Sequence, residues 1–284
     1  RIPTSNSGYT DYRTVGSPMV MKEGLVYKMW YVGNDDAERI FYATSSDGLN
    51  WRKRMILPGH VLGPTGSGDD GWRVSSPTII KDGPLYRMWY TGLIYSANPS
   101  LQTYRIFSAT SLNGLVWTKV NNVADGSRDT TGESSDGRLS PGTGSSGDSR
   151  HVDYPWVMKD GTGYKMWYSG NDGSVWRIYY ATSSDGLRWK KYDNTIPADR
   201  TNSGEVSTNG RVPLGVNGTG DDAGVFAPKV MKDASGYRMW YTGSDGVNHR
   251  IFYATSPDGL NWKKYNMKFI FSAEGFTESF RDYI

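Results

Sequence analysis

Residues 152–170 read Val-Asp-Tyr-Pro-Trp-Val-Met-Lys-Asp-Gly-Thr-Gly-Tyr-Lys-Met-Trp-Tyr-Ser-Gly, and residues 177–189 read Arg-Ile-Tyr-Tyr-Ala-Thr-Ser-Ser-Asp-Gly-Leu-Arg-Trp. Both phrases recur. Tyr-x-Met-Trp-Tyr-x-Gly stands at 27–33, 86–92, 164–170 and 237–243, each copy preceded by Val-x-x-Pro at 15–18, 74–77, 152–155 and 225–228. From that Pro to the Trp of Met-Trp-Tyr is 12 residues in all four copies, and an Asp (Asp11, Asp70, Asp148, Asp221) lies 7 residues before each Pro. Arg-Ile-aromatic follows from Arg39, Arg105, Arg177 and Arg250. Ser-x-Asp/Asn-Gly-Leu-x-Trp then closes each unit at Trp51, Trp117, Trp189 and Trp262. A fixed internal period means that one supersecondary unit is repeated.

Within a unit the side chains alternate. Tyr27, Met29 and Tyr31 interleave with Lys28 and Trp30, and Ile40, Tyr42 and Thr44 with Phe41 and Ala43. Period 2 among aromatic and β-branched residues is a strand signal. Lys22-Glu23-Gly24 and Asp47-Gly48 punctuate the strands, and Asp-Gly favours tight hairpins because both residues tolerate positive φ. The unit is therefore four antiparallel strands, a to d. Repeated at Pro-to-Pro spacings of 59, 78 and 73 residues, such units make an all-β fold, a β-propeller of four-stranded antiparallel blades. A solenoid of stacked hairpins is the alternative, but it needs polar capping units. The 284 residues then form one propeller domain with units at about 11–69, 70–147, 148–220 and 221–265. Segments 1–10 and 266–284 either close the ring of four or pair as a reduced fifth blade, with strands at 269–272 and 276–284.

Composition narrows the function classes. A net charge of +3 without basic clustering argues against nucleic acid. No cysteine is present, which removes disulfides and thiolate metal sites, and no apolar run reaches the ~18 residues of a spanning helix. Aromatics are abundant, but eight of the 11 Trp belong to the repeat, leaving Trp72, Trp156 and Trp176. The a–b and c–d turns share one face of the propeller and barely vary. The other face carries the b–c connection 93–104 and the long d–a connections 52–73, 118–151 and 190–224. Loops of that length are commonly functional or disordered, so a ligand site is expected there, at the mouth of the central channel.

Residues shared by every copy read as scaffold, and residues unique to one copy read as candidates for chemistry. The repeated Asp and Arg are expected to tie blade to blade. Asn34-Asp35-Asp36, Asn171-Asp172-Gly173 and Ser244-Asp245-Gly246 could hold Ca²⁺ through oxygens or be ordinary turns, and no other metal or cofactor motif is present. Just before each a strand the copies differ: Gly16-Ser17, Ser75-Ser76, Asp153-Tyr154 and Phe226-Ala227. The third approach is the richest, with Arg150, His151, Asp153, Tyr154 and Trp156 inside seven residues. Asp153 has no acidic counterpart in the other copies. It could bind a sugar hydroxyl or act as a general base, or it could be a buried acid paired with Arg150 or Arg177. Trp72, Arg73, Arg150, His151, Tyr154 and Trp156 are the candidate ligand-binding residues.

The run Pro-x-Val-Met-Lys-Asp-Gly, Tyr-Lys-Met-Trp-Tyr-Ser-Gly and Arg-Ile-Tyr-Tyr-Ala-Thr-Ser-Ser-Asp-Gly-Leu-x-Trp is similar to blades of the five-bladed propeller glycosidases, the superfamily of glycoside hydrolase families 43, 32, 62 and 130. The resemblance covers most of residues 15–265 and implies furanosidase, xylosidase or glycoside phosphorylase chemistry by acids at the channel mouth. Hydrolases of that kind carry an Asp beside the first blade's a-strand Pro and a Glu acid in a later blade. Here the first blade reads Gly16-Ser17-Pro18, and no a-strand approach holds a Glu. Hydrolysis needs two carboxyl groups about 5–9 Å apart. The candidate catalytic acids are Asp153 with Glu205 or Asp222, and Glu133 lies in another long loop. The expected function is a carbohydrate-recognising propeller, secreted, at the cell surface or periplasmic, with carbohydrate as partner. The alternative is a structural or interaction propeller that self-assembles or binds a protein.

Overall fold

A computed structural model describes residues 11, 13–34, 36–54, 59–66, 70–93, 102–120, 137–193, 195–196, 206–207 and 209–265. Among them there is no helix, and the strands form four antiparallel sheets, one per sequence unit except that residues 206–207 of the third unit join the fourth sheet. Blade 1 holds β1 (Thr14–Glu23), β2 (Val26–Asn34), β3 (Glu38–Ser45) and β4 (Arg52–Lys53). Blade 2 holds β5 (Arg73–Asp82), β6 (Leu85–Leu93), β7 (Tyr104–Ser111) and β8 (Thr118–Val120), with β9 (Arg138–Leu139) also paired to β7. Blade 3 holds β10 (His151–Asp160), β11 (Gly163–Asn171), β12 (Trp176–Ser183) and β13 (Lys190–Lys191). Blade 4 holds β14 (Val206–Ser207), β15 (Gly224–Asp233), β16 (Gly236–Ser244), β17 (His249–Ser256) and β18 (Trp262–Tyr265). The propeller expectation is met. The described residues build four blades and not the five that the resemblance implies, and the strands expected at 269–272 and 276–284 lie outside them.

The repeated Asp, and the repeated Arg177 and Arg250, make contacts inside their own blade. Asp148 accepts from Tyr168 Oη at 2.9 Å and from Lys191 Nζ at 2.7 Å, tying the approach to β10 onto β11 and β13. Asp11, Asp70 and Asp221 repeat this with Tyr31 and Lys53, Tyr90 and Lys119, and Tyr241 and Lys264. The repeated Gly makes room for it, because a Cβ on Gly170 would lie 2.5 Å from the Asp148 Cβ. Arg177 and Arg250 bond to Asp172 and Asp245 of their own b–c turns.

Blade-to-blade contact uses other groups. The indole N–H of Trp30, Trp89 and Trp167 donates to the carbonyl of Gly114, Gly186 and Gly259 in the next blade, at 2.8, 2.9 and 3.0 Å. The acid at each a–b turn takes a Lys and a Tyr of the next blade: Glu23 holds Lys81 and Tyr86, Asp82 holds Lys159 and Tyr164, and Asp160 holds Lys232 and Tyr237. Between each of these blade pairs lies one closed apolar cluster.

Each a strand carries the same irregularity. Pairing with the b strand breaks between Gly16 and Met19, Ser75 and Thr78, Asp153 and Trp156, and Phe226 and Lys229. Ser17, Ser76, Tyr154 and Ala227 there have φ of 45°, 50°, 49° and 53°. A non-Gly residue in that region costs about 1–3 kcal/mol, and β-bulges re-aim side chains near functional sites. Four strained bulges therefore stand at the a-strand positions where the copies differ.

Candidate functional site

Asp153 is the residue that the third bulge aims. Its Oδ1 accepts from Thr91 Oγ1 on β6 and from the Tyr154 backbone N–H, both at 2.6 Å, and the Ser76 hydroxyl on β5 adds a third donor. Two of these three donors belong to blade 2, so the carboxyl sits in the junction between blades, 7 % exposed. Arg177 is committed to Asp172, and hydroxyls, not a guanidinium, satisfy Asp153. Burial pushes its pKa up to about 6, and the nearby charge of Glu38 pushes in the same direction. A carboxyl so placed is a proton donor at mildly acid pH and a base above it.

Glu38 is the acid that reading the sequence missed. It begins β3, immediately before the repeated Arg39, and burial raises its pKa against the opposing pull of Arg73. The same register position holds Tyr104 on β7, Trp176 on β12 and His249 on β17. Four copies carry four different residues there. The rule that unshared residues are candidates covers this position as well as the a strands. Antiparallel pairing places each of the four beside the start of its own a strand: Thr14, Arg73, His151 or Gly224 meets it across the b strand.

The other expected residues divide. Arg73 lies over the Trp72 ring at 4.4 Å and acts on Glu38 and Tyr104. His151 stacks on Trp176 (centroids 5.9 Å, 18°), meets Tyr104 edge-on, and accepts the Tyr104 backbone N–H at Nδ1. Burial and then Arg150 lower its pKa to about 4, so it is a neutral ring at neutral pH. Tyr154 packs against Phe226, and the Asp153 charge and burial raise its phenol far above the usual range. Trp156 serves the scaffold instead. Its indole N–H donates to the Val230 carbonyl at 2.5 Å, and Lys229 Nζ lies 4.6 Å from its ring.

Asp222 is bound into its own loop, accepting the Gly218 N–H at 2.9 Å. No contact with Asp153 is recorded among the described residues. Glu205 and Glu133 lie outside the described residues. Asp172 and Asp245 are occupied by turn N–H groups and by Arg177 and Arg250, the ordinary-turn arrangement. Among the described residues no three acidic or His side chains converge as a metal site, and none of them forms a helix long and apolar enough to cross a membrane.

Two carboxyls with raised pKa (Asp153 and Glu38), one guanidinium (Arg73) and the rings of Tyr104, Tyr154 and Trp176 are thus linked by electrostatic and ring contacts, Trp176 through His151. Rings of this kind cover apolar CH faces, while carboxyls and guanidinium pair with hydroxyls.

No family model matches the chain. It is 36 % identical over 122 residues to an uncharacterized protein of Mycobacterium tuberculosis strain H37Rv, over 40 % of this chain and 34 % of that one. The match thus spans about a third of the curated relative's length. Among solved structures it is similar to a thermostable family-43 glycoside hydrolase (TM-score 0.60, 17 % identity, 95 % of this chain and 77 % of that one). It also resembles Zg3597, a family 117 glycoside hydrolase from Zobellia galactanivorans (0.63, 13 %, 93 % and 72 %). A third likeness is the Bombyx mori family 32 β-fructofuranosidase BmSUC1 (0.60, 12 %, 88 % and 48 %). At these identities the likeness is one of fold.

Proposed function

We propose that the protein is a carbohydrate-recognising propeller whose sugar site is the channel mouth around Asp153, Glu38 and Arg73. The observation that carries this reading is Asp153 itself. The blade does not need it, since three other copies fold without an acid there. A buried carboxyl held only by hydroxyls and one N–H is costly to keep charged, and such groups concentrate at functional sites. The fold shared with glycoside hydrolases supports the ligand class, and the rings of Tyr104, Tyr154 and Trp176 suit the apolar faces of a sugar.

Calorimetry against a panel of pentose, hexose and fructose oligosaccharides tests it. Binding to at least one sugar is expected, weakened tenfold or more by Asp153→Asn and by Arg73→Ala, and unchanged by Asp222→Asn. Absence of binding across the panel refutes the reading. The catalytic form of the proposal uses Asp153 and Glu38 as the two carboxyl groups that glycoside hydrolysis requires. It predicts release of aryl groups from aryl glycosides, abolished by Asp153→Asn. Sugar binding without such release leaves recognition as the whole function.

A further inference from the structure

The residue after the repeated Pro serves the fold in three of the four a strands, and in the fourth it does not. That position carries Met19, Thr78, Trp156 and Lys229. Met19 packs against the apolar cluster between blades 1 and 2. Thr78 Oγ1 donates to the Pro155 carbonyl at 2.6 Å, and the Trp156 indole donates to the Val230 carbonyl. Each of these contacts ties an a strand to the next blade. Lys229 is the one cation in the set, and among the described residues it makes no tie of that kind.

Its ammonium also differs from other half-buried ones. Lys28, Lys119 and Lys165 each hold a carboxylate, that of Glu23, Asp70 and Asp160. Lys229 is half-buried as well, yet among the described residues no acid or hydroxyl meets it. The contact it does make is with the face of the Trp156 ring, 4.6 Å from Nζ to the centroid. Burial alone acts on its pKa and lowers it to about 8, so the amine stays mostly protonated at neutral pH. A cation held away from water without a counter-ion is unfavourable, and a Trp face offsets only part of that. The blade gains nothing from it, since Met, Thr and Trp stand there in the other copies.

Its place in the strand relates Lys229 to Asp153. Trp156 follows Asp153 by three residues, a stretch of at most about 11 Å, and Lys229 follows Phe226 by the same count. Tyr154 packs on Phe226 with ring centroids 6.2 Å apart. These two rings join the bulge that carries Asp153 to the bulge that Lys229 closes. We propose that the sugar bound at Asp153 carries a carboxylate, as a uronic acid does, and that Lys229 is the residue that pairs with it. This inference rests on the carbohydrate reading above and adds the charge of the ligand to it. A carboxylate supplies what Lys229 lacks, an anionic acceptor for a charge-assisted hydrogen bond.

Calorimetry of the full chain against matched pairs of oligosaccharides tests it, one member containing glucuronate or galacturonate and the other glucose or galactose in the same place. The acidic member should bind at least about tenfold tighter. Lys229→Met should remove that preference and leave the affinity for the neutral member within about twofold. Met19 holds the same place in blade 1, so the position accepts this side chain. Acetate at the concentration of the ligand should not compete. Equal affinity for the two members overturns the proposal and leaves the carbohydrate reading standing, as does a preference that survives in Lys229→Met. Competition by acetate also overturns it, because it assigns Lys229 to free carboxylates. Binding of neither member overturns both this proposal and the carbohydrate reading.

Discussion

Asp148 and Asp153 lie five residues apart and are both buried, yet they are built on opposite terms. Asp148 is present in every copy and carries its own cation, Lys191, at 2.7 Å, with both side chains at most 1 % exposed. Asp153 is present once. It has two hydroxyls and an N–H, and the charge that acts on it is another carboxyl, Glu38. Repetition allows a compensated charge to become part of the blade. An uncompensated one stays a local exception, and the blade gains nothing from it.

The comparison breaks first at Lys191. Lys191→Met leaves Asp148 charged, buried and without its cation, which should cost about 3–5 kcal/mol of folding stability. Urea unfolding measures it. Adding Asp148→Asn removes the stranded charge and should recover most of that loss, so the double variant ends more stable than Lys191→Met alone. If the single substitution costs less than about 1 kcal/mol, the pairing inside each blade is not what holds the approach to β10.

Asp153 should respond with the opposite sign. Its folded pKa of about 6 lies above the ordinary value of 3.8, so the folded state holds the proton more tightly than the unfolded chain. Its contribution is fully present below about pH 4 and is lost as pH rises through 6. At pH 8, Asp153→Asn should therefore stabilise the fold, by on the order of 3 kcal/mol at most. The gain should shrink steadily between pH 6 and pH 4, while sugar binding stays weakened relative to the parent. Unfolding curves for parent and variant at pH 4, 6 and 8 check it. A variant that is less stable at pH 8 would make Asp153 a second Asp148.

The fold was legible because a propeller repeats its grammar. The fixed Pro-to-Trp spacing, the alternation through Met-Trp-Tyr and the Gly of each hairpin were each visible four times. What each repeated residue touches was not legible. Asp148 and Arg177 turn inward to their own blade, and the blade-to-blade duty falls to Trp167, Asp160 and Tyr237, because spacing along the chain does not say which neighbour lies within 3 Å. The site was half legible. Asp153, His151, Tyr154 and Arg73 stand on or beside the bulge, where copies visibly differ. Glu38, Tyr104 and Trp176 start c strands, and only antiparallel pairing across the b strand reveals that they share the same rim. Trp156, unique in sequence, turned out to donate to a neighbouring blade's carbonyl.

The smallest expected effect is also the sharpest test of which second acid belongs to the site. Asp222 accepts an N–H of its own loop, and Asp222→Asn keeps a group that can accept it, so stability should change by no more than about 0.5 kcal/mol. Glu38 has a different reach. Its charge opposes ionisation of Asp153, and Glu38→Gln removes that charge while keeping the shape. The Asp153 titration, followed by carboxyl NMR or by the pH dependence of sugar binding, should then move downward from about 6, by less than one unit. The sign is fixed by the like charge, because removing a neighbouring anion makes the remaining carboxyl easier to ionise. An unmoved midpoint in the Gln variant would separate Glu38 from Asp153 electrostatically, and a shift produced by Asp222→Asn instead would return the second carboxyl to the fourth blade.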